Sequence, residues 1–75
     1  MTAGPVLLYT RTGCPFCDAK RAELAARGLH VREIDVGVRP QAIAELMKLT
    51  GGRRIVPVVV EGDGISVAPD GGSVF

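Results

Sequence analysis

The run Ile55-Val56-Pro57-Val58-Val59-Val60 constrains the fold of this chain more than any other stretch. Every residue in it except Pro57 is β-branched, and such side chains fit extended, pleated backbone, so the run predicts a strand. It does not alternate apolar with polar positions, so the strand is of the kind covered on both faces. With 75 residues in all, the chain is read as one domain, 1–75, with room for one core. A domain this short buries only about 60% of its unfolded surface, which leaves a small stability margin.

The segments around that strand are short and separated by glycine and proline. Val6 to Thr10 is a second apolar run, bounded by Gly4-Pro5 and Thr12-Gly13. A helix is predicted from Cys14 to Arg27, with Pro15 in the first helical position and Gly28 as its left-handed stop. Val31 to Val36 predicts a strand. Pro40 to Leu49 carries Ile43, Leu46 and Met47 at helical spacing and ends at Thr50-Gly51-Gly52. Glu61-Gly62-Asp63-Gly64 turns the chain so that Ile65-Ser66-Val67 pairs back. The predicted order is βαβαββ, a mixed four-stranded sheet with helices packed against it. Ala68 to Phe75, rich in glycine and polar residues, offers no helix of useful length.

Charge and composition narrow the function. Nine basic against eight acidic residues give a net charge of +1, with no basic run interleaved with aromatics, so a nucleic-acid surface is not expected. Met1-Thr2-Ala3-Gly4-Pro5 has no basic leader region, and Val6-Leu7-Leu8 is too short for a membrane span; a cytoplasmic location and no membrane partner are the expectation. In a reducing cytosol two cysteines are rarely a structural staple, and Cys14-Pro15-Phe16-Cys17 are too close to close a long loop.

The placement of that pair is chemically telling. Cys14 falls at the helix N-cap, where unpaired backbone N–H groups and the helix dipole favour an anion such as a thiolate. Arg11, Lys20 and Arg21 are cations available to lower its pKa further. Cys14 is expected to face solvent and attack a disulfide, and Cys17 to lie beneath it and resolve the mixed disulfide. A metal site is the alternative, but two cysteines and the distant His30 fall short of four ligands, so metal binding needs a dimer or an external thiol. No bound cofactor is required. Asp35 reads as an exposed strand-end carboxylate or as a buried charge tuning Cys17, and His30 as a surface histidine.

The stretch Tyr9-Thr10-Arg11-Thr12-Gly13-Cys14-Pro15-Phe16-Cys17 resembles the glutaredoxins, as do Glu33-Ile34-Asp35-Val36, Gly52-Arg53-Arg54-Ile55-Val56-Pro57 and the turn at Gly62. The resemblance runs from about Pro5 to Val67. It implies a reduced thioredoxin-like fold of α/β class with the family's final helix absent or truncated. It also implies reduction of protein disulfides or glutathione mixed disulfides, with glutathione as co-substrate and a monomer as the working form. The proline matching Pro57 is cis in the family and lies beside the cysteines, and the backbone of the residue matching Val56 pairs with the cysteinyl part of glutathione. Arg11 takes the place of the family's basic residue before the motif and is expected to meet the glycine carboxylate, with Arg54, just before Ile55-Val56-Pro57, assisting, and Phe16 keeps the ring of the family's usual tyrosine. The segment for the γ-glutamyl end falls on Val67, Ala68, Pro69 and Asp70, where only Asp70 keeps the family residue. The short end also resembles redoxins that take electrons from thioredoxin reductase and supply ribonucleotide reductase. A third reading is an iron–sulfur or metal carrier held between two chains.

Overall fold

The computed structural model describes residues 5–75; the Met1–Gly4 stretch read for a leader lies outside them. Strand β1 (Val6–Thr10) leads into helix α1 (Pro15–Ala26), then β2 (Val31–Asp35), α2 (Ala42–Thr50), β3 (Ile55–Val56), β4 (Val58–Glu61), β5 (Gly64–Val67) and β6 (Ser73–Val74). The main sheet has the order β2-β1-β4-β5. Strand β1 is parallel to β2, Val6 opposite Val31, and antiparallel to β4, Leu8 opposite Val59; β4 is antiparallel to β5. The mixed four-stranded sheet of the sequence reading is therefore present.

Side-chain alternation along β1 sorts the core into two layers. Val6 and Leu8 share one face with Val59 and are covered by Leu24 of α1. Tyr9 shares the other face with Val58 and is covered by Leu46 of α2, with Val36 and Val56 completing the layer. Strand β4 lies between β1 and β5 and is buried on both sides at Val58 and Val59, which is why its sequence is apolar without alternation. Each fully buried leucine contributes about 1.5–3 kcal/mol through the water it sheds.

Two features depart from the sequence reading. The Ile55–Val60 run is two strands, not one. It breaks at Pro57, which has no N–H for a ladder, so β3 leaves the main sheet and β4 enters it; the Val56–Pro57 peptide bond is cis. The second departure is at Ala68–Phe75. This segment turns back and places β6 antiparallel to β3, Ile55 opposite Val74 and Val56 opposite Ser73. Local propensity does not predict it, because a two-residue strand is specified by its partner.

The hairpin between β4 and β5 is as tight as expected. Glu61 pairs with Gly64 across Gly62-Asp63, and Gly62 at φ 60° supplies the positive φ that the first position of a type II′ turn needs.

Candidate functional site

Helix α1 starts where the sequence requires. Cys14 is its N-cap, with extended backbone (φ −95°, ψ 110°), and Pro15 is the first helical residue. The turn before it is closed by the Cys14 N–H donating to the Arg11 carbonyl at 3.2 Å. Asp35 at the end of β2 holds the same turn from the side, accepting from the Thr12 hydroxyl at 2.5 Å and the Gly37 N–H at 2.8 Å. Those bonds, led by Thr12, keep its carboxyl below the usual carboxylate range. Asp35 thus braces the cysteine loop and does not act as a buried charge on Cys17.

The two sulfurs differ in environment. Cys17 is fully buried, and that burial, reinforced by the hydrogen bond to Cys14, pushes its thiol up to about 12. Burial also pushes Cys14 up, but hydrogen bonds from the Cys17 thiol, the Ser73 hydroxyl and the N–H groups of Cys17 and Phe16 outweigh it and leave Cys14 below the ordinary thiol range. The Cys17 N–H donates to Cys14 Sγ at 3.2 Å, a helix N-terminus closing on its own N-cap sulfur.

Two expectations about Cys14 need correction. It does not face solvent, being only 4% exposed. Nor do the predicted cations stabilise it. Lys20 is bound to Glu23 at 2.9 Å and Asp70 at 2.6 Å, and Arg21 to Asp18 at 2.8 Å and Glu33 at 2.5 Å. Hydrogen-bond donors at the helix start do that work instead.

The remaining residues singled out in the sequence fall into two groups. Val56 and Cys14 share one buried cluster with Cys17, and the Val56–Pro57 bond is cis. Arg11 and Arg54, 43 positions apart in the chain, converge on the Phe75 ring, their guanidinium carbons 5.7 and 5.0 Å from its centroid. Phe16 is 42% exposed, and its ring lies against Gly71. Asp70 is turned to α1, where Lys20 holds its carboxylate. His30 is exposed.

Sequence reasoning missed Ser73, whose Oγ stands 3.4 Å from Cys14 Sγ, and Phe75, whose N–H donates to the Arg54 carbonyl at 3.0 Å. The legible signal was Gly71-Gly72. A Cβ on Gly72 would lie 2.4 Å from the Val56 carbonyl oxygen, so only glycine permits that approach. Among the described residues no three His, Cys, Asp or Glu side chains cluster as metal ligands, and no helix is long and apolar enough to cross a membrane.

A parallel β1-α1-β2 unit, an antiparallel β4-β5 hairpin and a Cys-x-x-Cys pair capping α1 define a thioredoxin-like fold with a dithiol site. The chain belongs to the glutaredoxin family, whose model matches residues 6–65. It is 39% identical over 59 residues to glutaredoxins of Neisseria meningitidis serogroups A and B, a match spanning 77% of this chain and 68% of each relative. The crystal structure of a glutaredoxin from Archaeoglobus fulgidus superposes with a TM-score of 0.75 at 27% identity, over 91% of this chain and 74% of that one. Members of the family are thiol–disulfide oxidoreductases, and this chain is an enzyme of that type.

Proposed function

We propose that the chain reduces disulfides by a dithiol route in which Cys14 attacks and Cys17 resolves, with glutathione as the co-substrate that returns the enzyme to its reduced form. The observation that carries this reading is the contrast between the two sulfurs: the N-cap sulfur takes the Cys17 N–H at 3.2 Å, while the other is buried and held protonated. Cys14 as thiolate displaces one sulfur of a substrate disulfide, forming a mixed disulfide and releasing a thiolate. Cys17 then gives up its proton and attacks Cys14 Sγ, releasing the second substrate thiol and leaving a Cys14–Cys17 disulfide. Two glutathione molecules reduce that disulfide and leave as glutathione disulfide. Alternatively, one glutathione attacks the mixed disulfide directly.

Support for glutathione comes from Arg11 and Arg54, whose guanidinium groups converge on the Phe75 ring next to the start of β3 and suit a carboxylate there. Protein disulfides in a reducing compartment such as the cytoplasm, met by a monomeric enzyme, fit the same reading. Support for thioredoxin reductase as donor comes from Ala68-Pro69, which stand where the family has glycine for the γ-glutamyl end of glutathione, and from Lys20, which takes one oxygen of the Asp70 carboxylate. Turnover with each donor system, followed by Cys17→Ser with glutathione alone, separates them. Under the glutathione reading Cys17→Ser still reduces a glutathionylated substrate and Cys14→Ser is inactive. Turnover only with thioredoxin reductase overturns it. A brown, iron-containing protein would instead support the carrier reading.

A further inference from the structure

The edge of β3 runs beside Cys14, and the chain's own Gly71–Phe75 segment lies on it. The bond from the Phe75 N–H to the Arg54 carbonyl marks those two as a hydrogen-bonded pair. In an antiparallel ladder such pairs alternate, so Val56 opposite Ser73 is the next one. The segment therefore uses the Val56 backbone groups and sets its Ser73 hydroxyl 3.4 Å from Cys14 Sγ, the place a substrate sulfur would approach. It also sets Phe75 between Arg11 and Arg54. The nucleophile beneath is 4% exposed.

We propose that Gly71–Phe75 is a displaceable intramolecular stand-in for substrate, and that it selects for disulfides carried on an extended cysteinyl backbone, which alone can take its place on β3. The inference rests on the proposed function for what the displacing ligand is, but not for the displacement itself. The segment is suited to leaving. Its strand is two residues long, Val74 is 79% exposed, and its backbone pairing is one that an incoming peptide reproduces bond for bond, leaving only the Phe75 and Ser73 side-chain contacts to be given up. It is also suited to returning, since glycine at position 72 lets the backbone pass within contact of the Val56 carbonyl, Ala68 and Ile55.

The test uses Gly72→Val, whose side chain cannot coexist with the docked segment, and two readouts that need no disulfide substrate. Amide exchange at Val56 and Ser73 is expected to speed up. The pH-independent plateau of Cys14 alkylation by iodoacetamide is expected to rise by about tenfold, as when a mostly closed state becomes open. Ser73→Ala is expected to move the midpoint of the profile upward without raising its plateau. Unchanged exchange at Val56 in Gly72→Val, or faster exchange with an unchanged plateau, overturns the proposal. In a mixed disulfide of Cys17→Ser with an extended cysteinyl peptide, Ser73 is expected to lose protection while Val56 keeps it. Protection retained at both overturns the displacement, whereas failure to form any mixed disulfide at Cys14 overturns the proposed function and leaves the Gly72→Val result standing.

Discussion

Ser73 Oγ lies 3.4 Å from Cys14 Sγ although the two residues are 59 positions apart. The hydroxyl is one of four groups that favour the Cys14 thiolate against the cost of its burial. A nucleophile can thus be covered and still have its thiolate favoured. Covering alone would raise its pKa, and the hydrogen bonds reverse the sign.

Cys14 is expected to alkylate with a midpoint below the ordinary thiol value of about 8.5, and Cys17 to stay unreactive at neutral pH. Labelling at a series of pH values, with each cysteine followed by mass spectrometry of its peptide, checks this. Faster labelling of Cys17 would reverse the roles.

Stability above neutral pH carries the mark of Cys17. Its folded thiol is raised to about 12 by burial, so its contribution is complete below the unfolded thiol pKa and is lost as pH rises toward the folded value. In a Cys14→Ser background, where burial remains the leading cause, the urea midpoint is expected to fall between about pH 8.5 and the folded value. Cys14→Ser/Cys17→Ala should not show that fall between about pH 8.5 and 10; above that Tyr9, whose hydroxyl is also raised by burial, lowers stability in both proteins.

Lys20 occupies the buried stripe of α1 between Cys17 and Leu24, 7% exposed, and reaches Asp70 and Glu23. Both acids are half or more exposed and regain water when the lysine is removed, so Lys20→Met is expected to cost only about 1 kcal/mol. Lys20→Ala should cost more, because the apolar stem also packs. Denaturant titration of the pair checks the order.

Leu46 of α2 is fully buried against Tyr9, Val58 and Val36. Leu46→Ala is expected to destabilise by about 2–5 kcal/mol, a large share of what so small a domain has. Tyr9→Phe, which removes the hydroxyl that donates to Glu45, should cost about 1 kcal/mol, because Glu45 is exposed and turns to water. Urea midpoints measure both.

The sequence made the sheet, both helices and the cysteine pair legible, because each rests on a local pattern. β-branched runs, Pro15 at the helix start, Gly28 and Gly51 after the helix ends and the Gly62 turn all act within a few residues. What it hid depends on partners far along the chain. Strand β6 exists because β3 has a free edge, and the cover over Cys14 exists because Gly72 lets the segment close on Val56. Lys20 looked like a cation for the thiolate, and only the fold shows that Asp70 has already taken it. Gly71-Gly72 did carry a signal of close approach, but not what was approached.

The proposed reaction depends on Cys14 being the attacking sulfur of a thiol–disulfide reductase. Its most direct test is to mix Cys17→Ser with glutathione disulfide at neutral pH and locate the adduct by peptide mass spectrometry, with Cys14→Ser as the matched control. The expected result is one glutathione on Cys14, removed by added glutathione, and none on Cys17 of the control over the same time. No adduct on Cys14, or faster modification of Cys17 in the control, would contradict the account.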